Sequence, residues 1–128
     1  MSSRKLELAK KRNPGLAELF DRTSAYIRAQ IIHNRQNFII PKLAAAALDM
    51  NDGEAFILLD LLAQEDLLRR VYNVYCRKNG ILLATVDALE ALDTIPHCDF
   101  CDKDHDPSDL KVEIAFVLKD DELLTMAA

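Results

Sequence analysis

The stretch from Pro41 to Gly80, PKLAAAALDMNDGEAFILLDLLAQEDLLRRVYNVYCRKNG, decides the fold. Leu43 to Leu48 is rich in alanine and reads as a compact helix whose small side chains permit close helix–helix approach. Asn51-Asp52-Gly53-Glu54 then supplies a tight polar turn. Asn51 caps the next helix, and Glu54, three residues on, reaches back to close a capping box. The second helix runs from about Gly53 to Gln64, with Phe56, Ile57, Leu59, Leu61 and Leu62 putting apolar surface on more than one side. Leu67 to Tyr75 has the β-branched and aromatic content of a strand, and the turn Lys78-Asn79-Gly80 reverses it into a second strand at Ile81 to Ala84.

Upstream, Asn37-Phe38-Ile39-Ile40 is β-prone and stops at Pro41, whose ring biases the preceding residue to extended geometry. Residues 13–35 read as an amphipathic helix. Asn13 caps it and Pro14 takes the first helical position, where a missing N–H costs nothing. Leu16, Leu19, Phe20, Thr23, Ile27 and Ile31, with Tyr26 beside them, recur at three- and four-residue steps. Phe20, Tyr26, Ile27 and Ile31 are the expected interaction surface, suited to pairing with a second copy. Residues 1–12 are dense in charge and are expected to form a flexible basic arm.

Downstream, residues 85–119 are expected to hold a short helix from Thr85 to Leu92, a cysteine and histidine knuckle, and a last strand from Leu110 to Leu118. In that strand Val112, Ile114, Phe116 and Leu118 alternate with Lys111, Glu113, Ala115 and Val117. Residues 120–128 read as a tail. At 128 residues the chain fits one domain with a sizeable core.

The order helix, short strand, helix, turn, helix, strand, hairpin over residues 36–84 resembles the winged helix-turn-helix superfamily. The resemblance implies an α+β fold with an N-terminal amphipathic helix and a small antiparallel wing sheet closed by the C-terminal strand. It also implies that the second helix of the pair would enter a DNA major groove. The residues of that helix oppose this role. Base reading uses Arg, Lys, Asn or Gln, and phosphates demand positive charge. Gly53 to Asp66 contains Glu54, Asp60, Glu65 and Asp66 and no Lys or Arg, with Gln64 as its one amide. Any nucleic acid would instead meet Arg22 and Arg28 on the first helix and Arg69, Arg70, Arg77 and Lys78 on the wing.

Cys98-Asp99-Phe100-Cys101, followed by His105 and preceded by His97, is one metal knuckle; Cys76-Arg77-Lys78-Asn79-Gly80 resembles a second in which Asn79 replaces a cysteine. The intact spacing would be that of a zinc ribbon, in which two turns grip one tetrahedral ion. Cys76, Cys98, Cys101 and His105, with His97 as substitute, are the candidate ligands of one structural zinc. The alternative is a decayed site whose turns are held by packing. A catalytic metal is disfavoured, because a full set of three cysteines and one histidine leaves no open position. The spacing of Asp102, Asp104 and Asp106 lacks the central glycine and terminal glutamate of a calcium loop.

Charge is split along the chain. Residues 1–42 hold nine Lys or Arg against three acids, +6, and the remainder holds seven against eighteen, −11, giving the net −5. A basic segment on an acidic body suits phosphate neutralisation or contact with the acidic body of a neighbouring copy. There is no Gly-rich phosphate loop, no G-x-S-x-G and no H-E-x-x-H. No apolar run approaches the length of a membrane span, and the N-terminus lacks a secretory pattern. The sparse cysteines suit a reducing, cytoplasmic compartment. The sequence therefore points to a non-catalytic interaction or regulatory module that assembles with a protein partner or as a homodimer, without a small-molecule substrate. The alternative is a DNA-binding transcriptional regulator using the first helix and wing.

Overall fold

The computed structural model describes residues 4–35, 37–90, 109–119 and 123–124. Among them the chain has an α+β fold: helices α1 (Arg4–Arg12), α2 (Ala17–Arg28), α3 (Pro41–Leu48) and α4 (Asp52–Gln64), and strands β1 (Leu68–Cys76), β2 (Leu82–Val86) and β3 (Leu110–Leu118). The strands form one sheet of order β2-β1-β3. Its contacts gather into two compact units within the span read above as one domain: Met1–Arg70 with Phe116–Ala128, and Val71–Ala115.

The first unit is helical, and its opening helix corrects the expectation of a flexible arm. Residues 4–12 form α1, which buries Leu6 and Ala9 completely. These two sit three residues apart on one helical face, so even a highly charged segment has an apolar stripe to dock. Lys10 bridges Asp21 and Glu7, Arg12 bonds Glu65, and Lys5 Nζ donates to Asp66 O at 3.3 Å. Asn13 does not cap the following helix. Its side-chain amide donates instead to Ala9 O at 3.1 Å and closes α1. A 3-10 turn at Pro14–Leu16 leads into α2, which widens to a π-helical turn at Ala29–His33. Thr23 and Ser24, buried on α2, satisfy their hydroxyls on the carbonyls of Leu19 and Phe20 one turn back.

Before α3, the expected strand reduces to a single antiparallel bridge. Ile39 N–H donates to Phe116 O at 2.8 Å and Phe116 N–H donates to Ile39 O at 2.9 Å. Pro41 opens α3, and Asp49 in the left-handed region (φ 57) ends it. The capping box forms as the sequence predicts: Glu54 N–H donates to Asn51 Oδ1 at 2.8 Å and Asn51 N–H to Glu54 Oε1 at 3.4 Å. Replacing Asn51→Ala removes this acceptor from the start of α4 and is expected to cost about 1 kcal/mol, read as a lower midpoint in urea denaturation with unchanged slope.

The core of this unit is the inner face of α4 (Ala55, Leu58, Leu59, Leu62), Ala44, Ala45 and Leu48 from α3, Phe20 and Ile27 from α2, and Ile39, Leu67, Phe116 and Leu123. The Phe116 ring lies 5.9 Å from that of Phe56 at 59°, a tilted arrangement that suits the aromatic quadrupoles.

The second unit carries the outer halves of β1 and β3 together with β2. Strands β1 and β2 pair antiparallel from Tyr72↔Val86 to Tyr75↔Leu82, with a bulge between Val74 and Tyr75. The predicted turn forms with Gly80 at φ 72, where a side chain would be strained. Arg77 N–H donates to Asp109 O at 2.9 Å, and at the other end of the same strand pair Lys119 N–H donates to Leu67 O at 3.1 Å. These bonds make β3 antiparallel to β1 and place Asn73 opposite Glu113 and Tyr75 opposite Lys111.

Candidate functional site

In a helix-turn-helix reader the exposed side of α4 would face DNA, so its surface is the first place to look for function. Asp52, Glu54, Asp60, Glu65 and Asp66 give this helix and its C-terminal turn a negative formal charge, and the last four have intramolecular partners. Glu54 is in the capping box. Asp60 accepts from Arg70 at 3.3 Å and from Gln64 at 3.2 Å. Glu65 pairs with Arg12. Asp66 pairs with Lys119 at 2.9 Å, and the hydrogen bond from that ammonium holds its carboxyl below the usual carboxylate range. Exposed pairs of this kind contribute little to stability. Their effect here is to remove Arg12 and Arg70 from the cations on offer to a phosphate.

What α4 does present is apolar. Ile57 is 57% exposed and lines a groove of about 210 Å³ with Leu16, Leu19, Met50, Glu54 and Leu58. The α2 residues reach this groove because the 3-10 turn at Pro14–Leu16 sets Leu16 and Leu19 on one side of the helix start, and the left-handed Asp49 turns Met50 in beside the α4 cap. Among the described residues, Glu54 is the one charged side chain lining the groove.

The residues expected on the interaction surface divide. Phe20 and Ile27 are fully buried in the chain's own core and are corrected from interface to core, while Tyr26 and Ile31 keep partial exposure. Periodicity locates an apolar stripe but not the neighbour that covers it. Burial also pushes the Tyr26 phenol up. The groove residues Leu16, Leu19, Met50 and Ile57 converge from separate segments, so no spacing in the sequence joins them. Leu16 and Leu19 belong to the apolar stripe of the first helix, and Ile57 is an apolar residue on the side of α4 opposite Leu59.

The candidate nucleic-acid residues also divide. Arg22 donates to Leu48 O at 3.0 Å. Arg70 lies 5.4 Å from the centre of the Phe56 ring while bonding Asp60, which makes it a structural side chain. Arg28 is half-buried and Arg69 exposed. In the second unit Arg77 and Lys78 are exposed at the hairpin turn, and Arg77 donates to Leu110 O at 3.4 Å. There Tyr75, Cys76, Arg77, Gly80, Lys111 and Glu113 line a recess of about 330 Å³. Burial first, and the Glu113 carboxylate second, raise the Tyr75 phenol above its ordinary range.

Of the candidate metal ligands, Cys76 is a fully buried thiol ending β1. Cys98, Cys101, His105 and His97 lie outside the described residues. The helix expected from Thr85 to Leu92 is corrected over its described part: Thr85 and Val86 end β2, where Thr85 pairs with Asn73 and its hydroxyl donates to Asn73 Oδ1 at 2.7 Å, and 91–92 are not described. Among the described residues no group of His, Cys, Asp and Glu is placed to hold a metal ion, and no helix is long and apolar enough to cross a membrane. No family model matches the chain, and no curated protein or solved structure matches it.

Proposed function

We propose that the chain is a non-catalytic winged-helix module that mediates protein–protein assembly. The observation that carries this reading is the surface of α4: an apolar groove around Ile57, no cation on the helix, and Asp60, Glu65 and Asp66 already engaged with the chain's own basic residues. An apolar recess with one carboxylate favours an apolar side chain over a phosphate. The winged-helix part of the proposal draws on the element order, in which a short extended segment at Ile39 joins the sheet before the α3–α4 pair and a hairpin follows it.

A second reading, a DNA-binding regulator working through the wing, draws on Arg77, Lys78 and Lys111 around the Tyr75 recess. Glu113 in the same recess counts against it. Zinc belongs to both readings as an ordering element of the second unit, with Cys76 joined by Cys98, Cys101 and His105 or His97. The proposal includes a cytoplasmic location, since the free thiol of Cys76 and the sparse cysteines suit a reducing compartment.

Retention of labelled duplex DNA at low salt separates the two, since phosphate contacts are strongest there. The protein-assembly reading expects no specific shift. Tight binding that weakens steeply with salt and disappears on Arg77→Ala with Lys78→Ala would replace it with the second.

A further inference from the structure

We propose that the chain self-associates head to tail, with Leu8 on α1 of one copy seated in the Ile57 groove of the next. This names the partner for the protein-assembly reading and rests on it. The occupant is a second copy because α1 carries the complement of the groove on its outer side. Leu6 and Ala9 are buried, and the opposite stripe, Arg4, Leu8 and Lys11 at steps of four and three, faces outward with Leu8 40% exposed. That stripe is an apolar side chain between two cations. The groove is an apolar recess whose one charged lining group among the described residues is Glu54, with exposed Asp52 and Glu18 close by in the chain. Arg22, one turn beyond Leu19, directs its guanidinium to Leu48 O.

Size agrees with charge. A cavity of about 150 Å³ admits benzene, so the groove's roughly 210 Å³ accepts a leucine side chain. The split of +6 over residues 1–42 against −11 over the rest favours such a contact between copies. The contact is heterologous, one surface meeting a different one, so it builds a ring or a chain unless two such contacts close a pair.

Light scattering over a concentration series at low salt tests this directly. The mass of the unmodified protein is expected to rise with concentration and to fall back as salt screens the charges. Leu8→Asp and Ile57→Asp alter exposed positions, and each is expected to weaken association about tenfold or more, with unchanged helical circular dichroism. Lys11→Glu, which touches no apolar contact, is expected to weaken it less. The decisive arm mixes Leu8→Asp, whose groove is intact, with Ile57→Asp, whose Leu8 is intact. A one-to-one complex between two otherwise monomeric variants supports the proposal. A protein that stays monomeric at every concentration, or an association that survives both substitutions, overturns it. Either outcome leaves the protein-assembly reading standing, because only the DNA experiment removes that.

Discussion

Phe116→Ala is expected to lower stability by about 3–5 kcal/mol, the range for truncating a buried aromatic side chain. The ring is fully buried, stacks at a tilt on Phe56 and belongs to the residue that exchanges both backbone hydrogen bonds with Ile39. Phe56 in turn carries the Arg70 guanidinium on its ring. Truncation therefore opens a cavity where β3, α4 and the segment before α3 meet within the first unit. A domain of this size is stable by only about 5–15 kcal/mol, so the urea midpoint should fall by a large fraction. Phe116→Leu, which keeps most of the volume, should lose less. A loss under about 1 kcal/mol for Phe116→Ala would place the ring outside the core.

Leu6→Ala is the second large effect, a loss of about 2–5 kcal/mol. The residue is fully buried on a helix whose one other buried residue is Ala9, and each ion pair, Lys10 with Asp21 and Arg12 with Glu65, has one exposed partner. Pairs of that kind contribute a few tenths of a kcal/mol each, so the docking of α1 rests on Leu6 and Ala9. The contrast with a flexible arm is sharp: an undocked segment would show no change in the unfolding midpoint. High salt should leave most of the α1 contribution intact, because burial of Leu6 is not screened.

Local features were legible in the sequence, and partners distant in the chain were not. The Asn51–Glu54 capping box and the Gly80 turn are set by residues a few positions apart, so spacing alone specified them. The strand at Leu110–Leu118 forms, but not with the single buried face its alternation suggested: Val112 is exposed, and Ala115 is buried beside Phe116 because neighbours cover both faces there. The helix at residues 4–12 was hidden because its apolar stripe is only Leu6 and Ala9 among charges. Asn13 had the chemistry of a cap, and whether it would begin α2 or end α1 depended on which backbone group it met. The sequence presented Asp60, Glu65 and Asp66 as a repellent surface. Their partners Arg70, Arg12 and Lys119 come from other elements, and only the fold brings them together. For the same reason Phe20 and Ile27 read as a surface in the sequence and are buried in the fold.

The groove around Ile57 illustrates the same limit at the level of function. Leu16 from the 3-10 turn, Leu19 from α2, Met50 from a turn and Ile57 from α4 become one surface only after folding. The helix that a winged-helix resemblance would assign to DNA has instead an apolar recess and internally satisfied carboxylates. Which of these surfaces meets a partner is visible residue by residue in the backbone amide spectrum.

The most direct test of the protein-assembly account is therefore an amide nitrogen–proton NMR titration of the chain with duplex DNA at low salt, compared with dilution of the protein alone. The account predicts that dilution moves the resonances of Leu8, Leu16, Leu19 and Ile57, while DNA produces no saturable shift at Arg69, Arg77 or Lys78. Saturable shifts at Arg69, Arg77, Lys78 and Lys111 on adding DNA, with the groove resonances unmoved by dilution, would contradict it.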